Sequence, residues 1–163
     1  MTGEGAVLSE EARARIAHIR TELPDPRSAL LAALYVAQRE QGGWLPDDAL
    51  AEVAALLEMP VAQVASVTSF YTMLNRQPVG KHLIQVCTNV SCSLLGAERI
   101  VEYLSQKLGI AVGETTPDGQ FTLLEVECLG SCGTAPVMQV DDAYYENLTQ
   151  EKIDRLLEQL AHE

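Results

Sequence analysis

The spacing of four cysteines is the strongest constraint on this chain of 163 residues, and all four lie in its second half. Cys87 and Cys92 are separated by four residues, and Cys128 and Cys132 by three, with 35 residues between the two pairs. We expect a cytoplasmic protein, because no apolar run of signal or membrane-spanning length is present. In a reducing compartment, such pairs bind metals or act in redox chemistry more often than they form structural disulfides.

Residues 79–163 have the pattern of a mixed sheet flanked by helices. "HLIQVCT" and "FTLLEVEC" predict two strands, and the apolar stripe between them predicts a helix that Gly109 ends. "VMQV" and "YYENL" flank Asp141 and Asp142 as a hairpin, and a last helix follows Thr149. A crossover helix favours a parallel first pair of strands, and the hairpin adds antiparallel strands.

The first 78 residues have the pattern of a helical bundle. Ser9 and Asp25 are predicted N-caps, with Pro26 at the first helical position and Gly42 as a stop, and Pro60 is predicted to open a fourth helix through "VAQVASVTSFYTML". The predicted fold class is therefore α+β: a helical domain over residues 1–78, followed over residues 79–163 by a mixed four-stranded sheet flanked by helices.

Each pair of cysteines follows a predicted strand, at the sheet edge where α/β proteins collect ligands. Zinc knuckles and disulfide-exchange motifs usually have two residues between their cysteines, and neither pair here has that spacing. A two-iron cluster divides four thiolates two per iron, which matches two separated pairs. The spacing favours a [2Fe-2S] cluster, with zinc as the competing interpretation and inert core thiols as a weaker one.

Small residues surround the second pair in "CLGSCGTAP". We expect the backbone N–H groups of Gly130, Ser131, Gly133 and Thr134 to approach the sulfurs closely, because small side chains leave room for the main chain. Such hydrogen bonds help to set the reduction potential of a cluster.

Other chemistry is missing from the sequence. No glycine-rich phosphate-binding motif follows a strand, so we predict no nucleotide-binding residue and no catalytic residue on this chain. His18, His82 and His162 are scattered, and we expect them at the surface or its boundary. The formal net charge of -12 disfavours nucleic acid and anionic membranes as partners.

A redox-sensing helix-turn-helix regulator is the alternative from a different class, because residues 50–73 have the outline of two helices joined by a short turn. The second of these helices contains no Lys or Arg between Val61 and Met73. Recognition helices need basic and amide side chains for phosphates and base edges. The composition of this helix favours packing or a protein partner instead.

Four segments carry a resemblance to a known family: "GGWLP", "VTSFYTM", "VCTNVSCSLLGAERIVEYLSQKLGI" and "TPDGQFTLLEVECLGSCGTAPVMQVDDAYYENLT". Together they resemble the small thioredoxin-like [2Fe-2S] ferredoxin subunit of NADH:quinone oxidoreductase, respiratory complex I. The same segments are similar to small subunits of NAD-dependent formate dehydrogenases and NAD-reducing hydrogenases. The resemblance extends from about residue 15 to residue 160.

The resemblance implies one [2Fe-2S] cluster per chain, with ligands Cys87, Cys92, Cys128 and Cys132. It implies a partner subunit that holds FMN and NADH, from whose flavin this chain accepts single electrons. It further implies a place in a peripheral arm on the cytoplasmic face of the inner membrane, beside other subunits and without membrane insertion. Thioredoxin-like folds often have a cis-proline before the third strand, so the Ala135–Pro136 bond is expected to be cis.

Overall fold

The computed structural model describes residues 7–162. The chain divides into two compact units between Pro78 and Val79, and each unit is described by itself.

The described part of the first unit contains four helices. They are α1 (Glu10–Glu22), α2 (Pro26–Glu40), α3 (Asp47–Leu56) and α4 (Val61–Phe70). The predicted caps of α1 and α2 are confirmed: Ser9 Oγ accepts the N–H of Ala12 at 3.2 Å, and the Asp25 carboxylate accepts the N–H of Arg27 at 2.9 Å.

Helix α4 ends at Phe70, four residues earlier than the sequence predicts. The reason is a side chain from α2, which binds the chain after the helix. The side chain of Gln38 donates to Met73 O at 3.1 Å and accepts the N–H of Asn75 at 2.7 Å. These hydrogen bonds satisfy main-chain groups that a longer α4 would have paired within the helix.

Apolar side chains from all four helices fill the core of the first unit. Its most deeply buried members include Ile16, Leu34, Leu45, Leu50, Val53, Leu57 and Val64.

Glu52 on α3 ties the start of α1 to this core. Its Oε2 accepts the N–H groups of Val7 and Leu8 at 2.9 and 3.1 Å, and its Oε1 accepts from Arg13 Nε. Burial by itself would raise the pKa of Glu52, but the hydrogen bond from Arg13 and those from the two main-chain N–H groups outweigh it, so the pKa lies below its ordinary value of 4.5. The carboxylate form is therefore the one that stabilises the fold.

Replacing Glu52 with glutamine is expected to lower the free energy of unfolding of the first unit by about 2 kcal/mol at pH 7, since hydrogen bonds to a charged group are lost. Because the pKa of Glu52 is depressed on folding, its contribution is fully present above pH 4.5 and is lost as the pH falls through the lowered value. The difference between wild type and variant should therefore shrink as the pH falls below 4.5. Urea titrations followed by fluorescence of the single tryptophan, Trp44, measure it.

Glu58→Gln is the matched control. Its partner Arg20 lies at 2.9 Å, but the Glu58 side chain is 78% exposed, against 15% for Glu52. An exposed ion pair contributes at most about 1 kcal/mol. Equal losses in the two variants would contradict the role of Glu52.

The second unit contains a four-stranded mixed sheet in the order β2-β1-β3-β4. The strands are β1 (His82–Cys87), β2 (Phe121–Val126), β3 (Met138–Val140) and β4 (Ala143–Tyr145). β1 pairs with β2 in parallel and with β3 antiparallel, and β3 pairs with β4 antiparallel. The predicted crossover, hairpin and α+β class are confirmed.

Three helices accompany the sheet: α5 (Val90–Leu94), α6 (Ala97–Leu108) and α7 (Gln150–Leu160). Gly96 and Gly109 bound α6 with φ of 94° and 68°, which confirms the predicted stop at Gly109. The apolar faces of α6 and α7 share one core with the sheet. Its members include Ile84, Val86, Leu104, Phe121, Leu123, Met138, Val140, Ile153 and Leu157.

The end of β2 and the burial of His82 differ from the prediction. β2 ends at Val126 rather than Cys128, because its partner strand β1 ends opposite it at Cys87 and leaves no ladder to continue. His82 is buried rather than at the surface, and its Nδ1 lies 2.8 Å from Asp141 Oδ2. Asp141 also accepts the N–H of Leu83 at 2.9 Å, so the acidic turn caps the start of β1.

Within residues 7–162, no single helix is long and apolar enough to cross a membrane. Helices α3 and α4 meet the length and hydropathy criteria only when they are taken together, and the chain bends by 120° between them.

Candidate metal centre

The two cysteine pairs meet at one edge of the sheet. Because β1 and β2 are parallel, their carboxyl ends lie side by side. Cys87 is the last residue of β1, and Cys128 follows β2 by two residues. Cys92 lies on the short helix α5, and Cys132 begins a single turn of 3-10 helix.

Asn89 connects the loops that carry the two pairs. It caps α5, with its Oδ1 accepting the N–H of Val90 at 2.8 Å, and its Nδ2 donates to the main-chain oxygen of Glu127 at 2.7 Å. Sequence reasoning overlooked both α5 and this residue. An asparagine between two cysteines is a usable N-cap signal, but five residues are too few for an apolar period to reveal a helix.

The four thiols are divided between interior and surface. Cys87 and Cys92 are 3% and 2% exposed, and they pack in a small cluster with Ala97, Ala135 and Val137. Cys128 and Cys132 are exposed. One side of the candidate site is therefore anchored in the protein, and the other faces outward.

Main-chain donors converge on Cys87. Burial would raise the pKa of its thiol, but the N–H groups of Asn89 and Leu129, together with the thiols of Cys92 and Cys128, more than offset burial and lower the pKa. Leu129 belongs to the second cysteine loop. The ionised form of Cys87 is thus stabilised by both loops at once.

The pKa of the Cys92 thiol is shifted in the opposite direction, upward. Burial raises the pKa of its thiol, the N–H of Val137 opposes this, and the neighbouring sulfurs of Cys87 and Cys132 raise it further. The ionised form of Cys87 therefore disfavours ionisation of Cys92, and a cation bound between them would relieve this. The donor set therefore suits a cationic metal group, because metal binding drives the deprotonation of its thiol ligands.

Gly130 confirms part of the expectation about small residues. Its N–H donates to Cys128 Sγ at 3.3 Å, and its φ of 74° is a conformation that glycine adopts freely. Thr134 differs from the expectation, because its N–H donates to Ser131 O at 3.1 Å. The donors to Cys87 and Cys92 come instead from Asn89, Leu129 and Val137.

The number and pairing of the thiols match the ligand set of a [2Fe-2S] cluster. Two thiol pairs on adjacent loops supply four thiolates, two for each iron. Within residues 7–162, no group of three or more Cys, His, Asp or Glu side chains is arranged to hold a single metal ion.

The loop from Cys128 returns to the sheet through Pro136. The Ala135–Pro136 bond is cis, as predicted.

Apolar side chains lie exposed beside the candidate site. Val90, Leu94 and Leu95 are 67%, 82% and 56% exposed, within the turn of chain that carries Cys92. We refer to these three residues as the α5 patch. Single exposed apolar residues are ordinary on a protein surface, whereas three of them here lie within six positions.

Comparison with known proteins identifies the class to which this fold and site belong. The model of the family described as thioredoxin-like [2Fe-2S] ferredoxin matches residues 16–161, and the chain belongs to that family. The match includes α3 and α4, so these helices are part of the family's own architecture and not an attached DNA-binding module.

Individual relatives and solved structures show which members of this family the chain is similar to. The chain is 49% identical over 137 residues to the NADH-quinone oxidoreductase E subunit of Rickettsia felis, covering 84% of this chain and 82% of the relative. It is 50% identical over 135 residues to the NADH-quinone oxidoreductase E subunit numbered 2 in Rhizobium meliloti, covering 83% and 80%. Among solved structures, it is similar to an air-oxidised NAD+-reducing [NiFe]-hydrogenase with a TM-score of 0.70 and 25% identity. That match covers 82% of this chain but only 23% of the hydrogenase chain.

Proposed function

We propose that Cys87, Cys92, Cys128 and Cys132 hold one [2Fe-2S] cluster and that the chain is an electron-transfer subunit of an NADH-quinone oxidoreductase. The observation that carries the proposal is the meeting of both thiol pairs at the shared end of β1 and β2, with N–H groups of both loops directed at Cys87. When bound, such a cluster accepts and releases one electron at a time.

The residues of the site have distinct tasks in this function. Cys87 and Cys92 anchor one side of the site in a packed cluster, which restricts their movement. Cys128 and Cys132 hold the other side at the surface, where an electron donor can approach. Val137 connects the two sides, since its N–H donates to Cys92 and its carbonyl oxygen accepts the N–H of Cys87 at 3.1 Å.

The proposed electron donor is the flavin of a partner subunit that also binds NADH. The sequence has no nucleotide-binding motif of its own, so FMN and NADH are assigned to the partner. The α5 patch, beside the exposed thiols, supports a protein surface docking here. The relatives named as E subunits of NADH-quinone oxidoreductase support membership of such a complex. Within it, we place the chain in a peripheral arm on the cytoplasmic face of the membrane, as the family resemblance implies.

A subunit of an NAD-reducing hydrogenase or an NAD-dependent formate dehydrogenase is the second candidate. The structural similarity to the hydrogenase favours it, with the matching part forming about a quarter of a longer chain. The subunits that co-purify with this protein distinguish the candidates: membrane subunits indicate the quinone-reducing complex, and a hydrogenase or molybdenum subunit indicates the others.

Metal analysis tests the cluster directly. Protein purified without oxygen is expected to contain iron and acid-labile sulfide in equal amounts and to give a paramagnetic signal after dithionite reduction. Stoichiometric zinc without that signal would refute the proposal, since zinc is redox-inactive.

A further inference from the structure

The carboxylate of Glu146, which lies outside the cysteine loops, accepts hydrogen bonds from one residue on each side of Cys132. Glu146 follows β4, and its Oε1 accepts hydrogen bonds from Ser131 Oγ and from Thr134 Oγ1, the latter at 2.6 Å. The two hydroxyl oxygens are 2.8 Å apart. Ser131 directly precedes Cys132, and Thr134 follows it by two residues, so both hydroxyl groups next to this ligand point to one oxygen atom.

Main-chain hydrogen bonds hold the same two segments together. The N–H of Asn147 donates to Thr134 O at 2.7 Å, and the N–H of Leu148 donates to Pro136 O at 3.0 Å. Residues 146–148 are therefore fastened along residues 131–136. The position of the Glu146 carboxylate is therefore fixed both by these main-chain hydrogen bonds and by the hydrogen bonds of its own side chain.

The negative charge of Glu146 has no cation paired with it among the described residues. The nearby Lys152 ammonium donates to the main-chain oxygens of Glu146 and Asn147, at 3.2 and 3.0 Å, rather than to the carboxylate. Hydrogen bonds from Ser131 and then Thr134 keep the pKa of Glu146 below its ordinary value. At neutral pH the loop therefore carries a fixed anion.

Two consequences of this arrangement act in the same direction. A fixed anion opposes the addition of an electron nearby, because reduction adds negative charge to a site that already holds four thiolates. The hydroxyl groups of Ser131 and Thr134 also hydrogen-bond to Glu146, to each other and, for Thr134, to the main-chain oxygen of Ser131, rather than to the sulfur of Cys132. Hydrogen bonds to sulfur are one of the factors that set the reduction potential of a cluster.

We propose that Glu146 is a positioning residue that lowers the reduction potential of the bound cluster, by holding a negative charge and two hydroxyl groups beside Cys132. This inference rests on the proposed function, since it concerns the potential of the cluster that the four cysteines hold.

A redox titration of the full-length protein, purified without oxygen and followed by its paramagnetic signal, tests the proposal. Glu146→Gln keeps the size and hydrogen-bonding shape of the side chain and removes its charge. We expect about a threefold rise in the ratio of reduced to oxidised cluster at a fixed potential, equal to ~28 mV at ~59 mV per tenfold change for a one-electron couple. Ser131→Ala keeps the charge but removes one of the two hydroxyl groups that hold it beside Cys132, so the less restrained carboxylate should let the potential rise by a smaller amount.

Glu158→Gln is the matched control, because it makes the same charge change on the exposed side of α7, away from the cysteine loop. Its potential should equal that of wild type. An unchanged potential in Glu146→Gln, or a shift of the same size in the control, would overturn the role of Glu146. If Glu146→Gln fails to assemble a cluster, an unchanged potential in Ser131→Ala overturns it instead.

The two proposals fail in different ways. A wild-type protein without iron and sulfide would overturn the proposed function, and this inference with it, before any titration. A wild-type cluster with an unshifted potential in the variants would overturn only the assignment to Glu146.

Discussion

Replacing Cys128 with alanine is expected to abolish stoichiometric iron and acid-labile sulfide in the purified protein, together with the paramagnetic signal. An iron of a two-iron cluster has two protein thiolates, so one substitution removes half of its protein ligands. Cys128 is exposed, and its loss leaves no cavity in a core. The same substitution at Cys132 should give the same result for the same reason.

The exposed pair makes a cleaner experiment than the buried pair. Changing Cys87 or Cys92 would remove a ligand and also disturb the packed cluster that contains them. Glu127→Ala is the matched control, because Glu127 is the exposed neighbour of Cys128 and contributes only its main-chain oxygen to Asn89. Unaltered iron content in Cys128→Ala would remove Cys128 from the ligand set. Far-ultraviolet circular dichroism should show that the helices of the first unit persist.

Replacing Leu94 with aspartate is expected to weaken binding to the proposed flavin-containing partner subunit by about 10- to 100-fold. Burying a leucine contributes about 1.5–3 kcal/mol, and each 1.4 kcal/mol is a factor of ten in the dissociation constant. Leu94 is 82% exposed and lies two residues beyond Cys92, so the change removes apolar contact area beside the site. Titration of the isolated partner subunit with this chain measures the effect.

Val112→Asp is the control for the loss of partner binding. Val112 is also an exposed apolar residue of the second unit, but it lies outside the α5 patch, between α6 and β2, where the N–H of the next residue, Gly113, donates to Leu123 O of β2. Its substitution should leave binding unchanged. The α5 patch is not the docking surface if Leu94→Asp and Val112→Asp bind the partner equally. Iron content must be equal in both variants for the comparison to be valid.

Most helices and strands follow from local signals in the sequence. Ser9 and Asp25 lie within three residues of the N–H groups that they cap, so their role is visible in the chain itself. The stripes of α6 and α7 repeat over three turns, and their residues form one core with the sheet. The crossover between β1 and β2 then restricts the topology, because such connections place parallel strands side by side.

Other features depend on contacts between distant residues. The end of α4 is set by Gln38, more than thirty residues earlier in the chain, and the burial of His82 depends on Asp141, almost sixty residues later. Helix α5 is too short to show a period, and its cap contacts a residue 38 positions away. Local propensity cannot report such contacts, because they exist only after the sheet has formed.

The candidate site shows the same division. Residue type and spacing were enough to identify the four ligand candidates, their division into pairs and their place after two strands, because these are properties of the chain. The folded molecule was needed to show that Cys87 and Cys92 are buried while Cys128 and Cys132 are exposed. It was also needed to show that Glu146 is hydrogen-bonded to the loop that carries Cys132. Burial and long-range hydrogen bonds are set by how the elements pack, and that packing is what makes the two sides of the site unequal.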